Sequence, residues 1–322
     1  MSLREPLRFV IGKEQRADRV DKVLPGLLHA SRATVQRWIL EDRVRIDGLA
    51  CRPRDEVREG SVVEVEPGAP PPSGVEPDDT VPFSVLYEDP HLIVVDKPAG
   101  VVVHPGRGNW GRTLVAGLLS RPGFERAPFD SRDPLGPLRP GIVHRIDKNT
   151  SGVLVVAKSE EAREGLKSQL ALHSVERVYR AITLGVPRPG RIETLHIRHR
   201  SARRKFTTRT DQGRRAVTHV LVDEVLATAR AALVSCRLET GRTHQIRVHL
   251  SEQTGTPILA DKLYGRTPEQ AELRGIAAHL GRQALHAQAL GFQHPITSEW
   301  MRFETPLPED MQDALARLRA LT

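Results

Sequence analysis

Residues 67 to 80 read PGAPPPSGVEPDDT, with five prolines in fourteen positions. Each proline removes a backbone donor and fixes φ, and the residue before it is pushed toward extended backbone. No helix or central strand runs through such a stretch. It is a linker of extended type, so the chain must fold as two bodies. The boundaries fall at residues 1–68 for the first (core 16–66), 69–80 for the linker and 81–322 for the second. A chain of 322 residues is long enough for one small and one large domain.

The first body has a simple order. Asp18 can cap a helix whose apolar stripe is Val20, Val23, Leu24, Leu27 and Leu28. Ser31 can cap a second helix, with Val35, Trp38 and Ile39 inward. Arg32, Thr34, Arg37 and Arg43 lie near that helix, where they could meet phosphates. Short strand-like runs follow at Val44–Ile46 and Ser61–Val65, with a turn at Asp47-Gly48.

The second body mixes strands and helices. Strands are expected at Ser84–Tyr87, Leu92–Asp96, Val178–Leu184, Val217–Val222 and Ala231–Leu238, and helices at Arg112–Leu119 and after Ser159. Glu160 and Glu161 suit the first turn of the latter. The C-terminal PEDMQDALARLRALT is an amphipathic helix with Met311, Leu315 and Leu318 on one side. There is no regular βαβ alternation. The fold class is therefore α+β with a largely antiparallel sheet. Between Gly141 and Lys158 lies GIVHRIDKNTSGVLVVAK, which reads as a hairpin with Asp147 in its polar turn.

Charge narrows the partner. The formal net charge is +8. Arg188 to Arg215 holds ten Lys/Arg against two Asp/Glu, so one segment matches the excess of the whole chain. Such a concentration points to a polyanion, most often nucleic acid; the plainer reading is a solvated basic loop. No window approaches the length of a membrane span, and the N-terminus lacks an apolar signal core. Cys51 and Cys236 have no metal-type spacing, which fits a reducing cytoplasm. Monomer is the default, since no coiled-coil or interface stripe stands out.

Several chemistries lack their motifs. There is no Gly-rich phosphate loop, no His-Glu-x-x-His and no Gly-x-Ser-x-Gly elbow. His244 and His249 are five apart, a poor metal pair on one helix face. A lone Asp in DKNTSG would by itself be a turn-former, bonding nearby backbone N–H groups. A glycosidase-like pair would need a second acid at about 5–9.5 Å, for which Glu239 and Asp261 are distant candidates.

Several separate words together change that reading. GIVHRIDKNTSGVLVVAK, VYRAITLG, ETGRTHQIRVHL, LADKLYG, RQALHA and VVDKPAGVVVHPG resemble the RluA/RluD-type pseudouridine synthases. ADRVDKVL, SRATVQRWILEDRVRIDG and GSVVEVEP resemble an S4 RNA-binding domain, the combination found in the subgroup acting on large-subunit ribosomal RNA. The family's usual HRLD is HRID here, an apolar exchange that a packed position tolerates. The resemblance implies an isomerase that turns uridine in RNA into pseudouridine without a cofactor or metal. Its target would be large-subunit ribosomal RNA, with transfer RNA, or a non-catalytic RNA-binding role in ribosome assembly, as alternatives.

Carried over residue by residue, Asp147 is the essential Asp. It would attack C1′ or remove a C2′ proton. A carboxylate working among RNA phosphates calls for a cation beside it, and Arg247 matches that residue. Tyr179 matches the tyrosine that stacks on the base, and Leu285 an apolar wall of the uracil pocket. Arg145 matches the residue that enters the RNA stack once the uridine has flipped out. His144 is expected to be structural. Arg203, Arg204 and Lys205 would grip the RNA backbone. The geometric expectation is that Arg247 lies in salt-bridge reach of Asp147, with Tyr179 and Leu285 lining the same pocket.

Overall fold

A computed structural model describes residues 6–15, 18–67, 74–106, 109–124, 127–130, 133, 135–202 and 204–321. Arg203, the Arg37 side chain and linker residues 68–73 lie outside the described set. The chain divides into two compact units, Met1–Ser73 and Gly74–Thr322.

The first unit contains β1 (Leu7–Val10), α1 (Val20–Leu28), α2 (Arg32–Leu40), β2 (Val44–Ile46), β3 (Leu49–Ala50) and β4 (Val62–Val65). Its four strands form one sheet in the order β1-β4-β2-β3. Val20, Leu24, Val35, Ile39 and Val63 are buried between helices and sheet. The cap expected at Asp18 falls one residue later, at Arg19, which offers no side-chain bond. Asp18 instead accepts from the Arg19 N–H and pairs with Lys22. Ser31 does cap α2, accepting the Thr34 N–H at 3.1 Å. Arg32 leans on buried Asp21 and Arg43 on Glu41, so both carry acids of their own.

The second unit is built on β5 (Ser84–Glu88), β6 (Leu92–Lys97), α3 (Leu114–Leu119), β7 (Ser151–Ala157), α4 (Glu160–Ala171), β8 (Glu176–Leu184), β9 (Gly190–Arg198), β10 (Phe206–Thr207), β11 (Arg214–Leu226) and β12 (Ala231–Leu238). It continues through α5 (Gln245–Val248), α6 (Ala271–Leu280), β13 (Leu285–Gln293), β14 (Trp300–Glu304) and α7 (Glu309–Arg319). Its ten strands form one sheet in the order β10-β9-β11-β12-β8-β13-β7-β6-β5, with β14 beside β13. Only the β13–β7 pair is parallel among the described pairings. The fold is α+β with a large, mainly antiparallel sheet, as expected. Met311, Leu315 and Leu318 of α7 are all buried.

Two expectations need correction. The Gly141–Lys158 stretch is not a hairpin. Its second arm is β7, which already begins at Ser151, but Gly141–Asp147 is irregular, and its ladder pairing with the sheet is one bridge, Ile142 to Val156. Backbone geometry constrains this end of β7. Gly152 has φ +118°, and a Cβ there would meet the Ala287 carbonyl oxygen at 2.1 Å. Only glycine lets β7 start so close to β13. Nor is the Arg188–Arg215 segment a loop: β9, β10 and the start of β11 make it a ribbon at one end of the sheet. Arg191 and Arg215 pair with Glu193 and Glu239, so part of its charge is neutralised locally.

Candidate active site

Asp147 sits on the turn between the irregular stretch and β7. Ile146, 5% exposed, anchors the turn to the core, and the Thr150 N–H closes it on the Asp147 carbonyl at 3.1 Å. The Lys148 carbonyl accepts the Gly100 N–H at 2.8 Å and Lys97 Nζ at 3.2 Å. The Asn149 carbonyl accepts Arg282 Nη1 at 3.1 Å. An acidic side chain on a loop is thereby held from two directions.

Lys97 is the buried part of this support. It is fully buried at the end of β6, and Nζ also donates to the carbonyls of Pro98 and Val101 at 2.8 and 2.9 Å. Burial draws its pKa down to about 7, while the Asp147 charge opposes that shift. Lys97→Met keeps the volume but removes three donors. It is expected to lower unfolding stability by roughly 2–4 kcal/mol, read in a urea titration, and to slow turnover by loosening the Asp147 turn.

Arg247 lies on α5. Its Nη1 donates to Asp147 Oδ2 at 2.8 Å, while Nε and Nη2 donate to Asp261 at 2.7 and 2.9 Å. The Asp261 side chain is wholly buried and also accepts the N–H groups of Leu263 and Tyr264. Burial alone would raise the pKa of Asp261; the Arg247 bonds outweigh it and hold it below the usual carboxylate value. Burial likewise opposes the charge on Arg247, and Asp261 together with Asp147 reverses that. The bidentate grip fixes the guanidinium plane, so one N–H is left aimed at Asp147.

The α5 segment folds as it does because Gln245 is buried and fully used. It accepts from Thr240 and the Arg242 N–H, and donates to the Val217 carbonyl and Thr218. His249, by contrast, is buried against Thr194 and Thr218. His244 turns the other way, with Nε2 3.9 Å from Asp147 Oδ1.

A cavity of about 610 Å³ opens at this point, lined by Arg145, Asp147, Tyr179, Arg247 and Leu285 among others. The four residues expected to meet therefore do so. Tyr179 comes from β8, opposite Ala287 of β13, and Leu285 from the start of β13. Burial pushes the Tyr179 hydroxyl up to about 12, so it stays neutral near pH 7. Arg145 is exposed, with Nη1 3.4 Å from His104 Nε2. His144 accepts the Val155 N–H at 3.1 Å, a bond that ties the irregular stretch to β7.

A second cavity of about 510 Å³ shares Arg145, Asp147, His244 and Arg247. Tyr179 and Leu285 are absent from its walls; Lys148, Arg204, Lys262 and Arg282 take their place. Lys205 lines neither cavity, but its ammonium is 5.9 Å from the Tyr264 ring centroid.

Neither candidate second acid suits a paired-carboxylate site. Glu239 lies among His219, Arg191 and Arg215, with the His219 bond foremost in holding its pKa down to about 2. Asp261 has both oxygens engaged behind Arg247. The sequence marks Asp261 only for that pairing and His244 only as half of a poor metal pair, and leaves Tyr264 and Lys97 unmarked. The words LADKLYG, GRTHQIR and VVDKPAG contained them.

The chain matches a family model described as RNA pseudouridylate synthase over residues 91–252, a span holding Asp147, Tyr179 and Arg247. It is 43% identical over 313 residues to the Ribosomal large subunit pseudouridine synthase D of Xanthomonas campestris pv. campestris, covering 94% of this chain and 89% of that one. It is 40% identical to YlyB of Bacillus subtilis, named an uncharacterized RNA pseudouridine synthase, with 95% and 96% covered. Among solved structures, Human RNA Pseudouridylate Synthase Domain Containing 4 superposes with a TM-score of 0.55 at 26% identity, covering 73% of this chain and 93% of that one.

Proposed function

The chain belongs to the RNA pseudouridylate synthase family and is an RNA pseudouridine synthase, an isomerase; from that premise we propose that it acts on uridines of large-subunit ribosomal RNA with Asp147 as its catalytic carboxylate. The relatives named for the large ribosomal subunit support the target. The single observation that carries the site is Arg247, held by Asp261 on one side and bonded to Asp147 on the other.

The reaction is a rearrangement. The N1–C1′ bond breaks, a C5–C1′ bond forms, C5 loses a proton and N1 gains one. It is redox-neutral with no atom added, so it consumes no oxidant, reductant or co-substrate. Asp147 Oδ2 is engaged by Arg247, which leaves Oδ1 to attack C1′ or take a C2′ proton. Tyr179 and Leu285 would hold the uracil in the first cavity. The base must leave its stack to arrive there, and Arg145 at the rim would fill the space it vacates.

The second cavity and the ribbon would carry the RNA backbone. Its cations are suited to phosphates and make no demand on sequence. The first unit, two helices packed on a four-stranded sheet whose first strand precedes them, would serve as an S4-like RNA-binding domain spanning residues 1–68. The enzyme would work in the cytoplasm as a monomer. Replacing Arg203, Arg204 and Lys205 by Glu is expected to weaken RNA binding and flatten its salt dependence, each lost phosphate contact reducing the log–log slope by about 0.7–0.9. An unchanged slope in filter binding would remove the ribbon from the interface.

The test of the function itself is tritium release from RNA labelled at uridine C5. Release from ribosomal RNA fragments, with none from transfer RNA, supports the assignment; the reverse pattern moves the target to transfer RNA.

A further inference from the structure

His244 is unused by the chemistry above, yet its ring is closely determined. Its backbone is left-handed, φ 60° and ψ 20°, a region that costs a non-glycine residue about 1–2 kcal/mol and persists only where the surroundings impose it. Two neighbours impose it here. His196 Nε2 donates to the Thr243 carbonyl at 2.9 Å, and Gln245 is locked as described.

The tautomer follows from proton counting. The Phe206 N–H lies 2.8 Å from the Tyr264 hydroxyl oxygen and can only donate to it. The hydroxyl has one proton of its own, and its other partner is His244 Nδ1 at 2.8 Å. Nδ1 is the one acceptor within reach of that proton among the described residues, so the arrangement that satisfies the hydroxyl leaves Nδ1 bare. Burial lowers the His244 pKa, Asp147 and Asp261 opposing it while Arg247 and Arg145 add to it, so the ring is neutral near pH 7. Its one N–H is then on Nε2, the nitrogen 3.9 Å from Asp147 Oδ1 and beyond hydrogen-bond length.

That N–H stands at a particular junction. Tyr179 and Leu285 line only the first cavity, Lys148, Arg204 and Lys262 only the second, and Asp147 and His244 line both. A nucleotide with its base in the first and its phosphate in the second would place its sugar at the junction. We propose that His244 is a substrate-positioning residue that donates Nε2–H to the 2′-hydroxyl oxygen of the target ribose, holding the sugar over Asp147 Oδ1. It rests on the functional assignment above and adds a reader of the group that separates RNA from DNA. Tyr264 sets the tautomer, and Phe206 at the ribbon's tip sets Tyr264.

Two measurements test this. In nitrogen-15 spectra of the free protein, the imidazole signal lost in His244→Gln is expected to show a protonated Nε2 and a bare Nδ1. A proton on Nδ1 overturns the proposal whatever the enzyme's activity. In kinetics, His244→Phe is expected to lower kcat by about 10–100-fold with KM little changed, and His244→Gln, which keeps an N–H, to recover part of that loss. RNA with a single 2′-deoxyuridine at the target should slow the wild-type enzyme, yet cost His244→Phe little more than the substitution already has. Fully additive losses overturn the contact. A wild-type enzyme that forms no pseudouridine in any RNA overturns the functional assignment, and this contact with it, while the nitrogen-15 result still reports the tautomer.

Discussion

Asp147→Asn is expected to lower pseudouridine formation by at least about 10⁴-fold while RNA affinity and unfolding midpoint stay close to wild type. The change keeps the side chain's size and its hydrogen bond from Arg247 Nη1, since an amide oxygen accepts there as a carboxylate oxygen does. What it removes is the charge on Oδ1, which both attack at C1′ and proton removal at C2′ require. RNA contacts are spread over the ribbon, the second cavity and the first unit in this account, so one neutralised acid leaves them intact. Single-turnover assays with RNA in excess of the dissociation constant separate the two effects. Substantial residual turnover would show that another group carries the chemistry.

Arg247→Met is expected to have the next largest effect, on stability as well as rate. It strips Asp261 of the only cation paired with it among the described residues, at a wholly buried position. Removing one partner of a buried pair costs about 3–5 kcal/mol, because the remaining charge is uncompensated. The pH dependence should reverse sign. In the wild type Asp261 has a lowered pKa, so its contribution is present above the unfolded-state value and is lost as pH falls through the folded one. In the variant, burial acts without the arginine and raises that pKa above the unfolded value. The variant's deficit should then be largest at neutral pH and shrink on acidification toward pH ~5. Thermal melts of both proteins across that range would show the convergence; parallel curves would mean Asp261 is not the group left unpaired.

Local chemistry was the legible part of the sequence. Ser159 caps α4 and Ser31 caps α2 because a hydroxyl can reach an N–H three residues on, which spacing reveals. The strands at 84–88 and 92–97 were likewise marked by their apolar runs and the Pro90 turn. The failures were non-local. Gly141–Asp147 read as a strand because of Ile142 and Val143, yet its ladder pairing is a single bridge from Ile142 to Val156; the need for glycine at 152 comes from Ala287, far along the chain. In β9 the charges of Arg191 and Glu193 obscured a strand whose pairing with β11 supplies its order.

The site followed the same division. A family resemblance brought Asp147, Tyr179, Arg247, Arg145 and Leu285 forward, since each sits in a recognisable word. It could not say why Arg247 points as it does. That depends on Asp261, fourteen residues away, and on backbone N–H groups of the following turn. Tautomers are less legible still: His244 depends on Tyr264, and Tyr264 on the Phe206 amide.

The central claim is that this carboxylate makes pseudouridine in large-subunit ribosomal RNA. Its most direct test is chemical mapping of pseudouridines in ribosomal and transfer RNA from cells lacking the protein, complemented with wild type or with Asp147→Asn. Defined large-subunit positions are expected to lose pseudouridine on deletion, regain it with wild type, and stay unmodified with the variant. Restoration by the variant, or losses confined to transfer RNA, would contradict it.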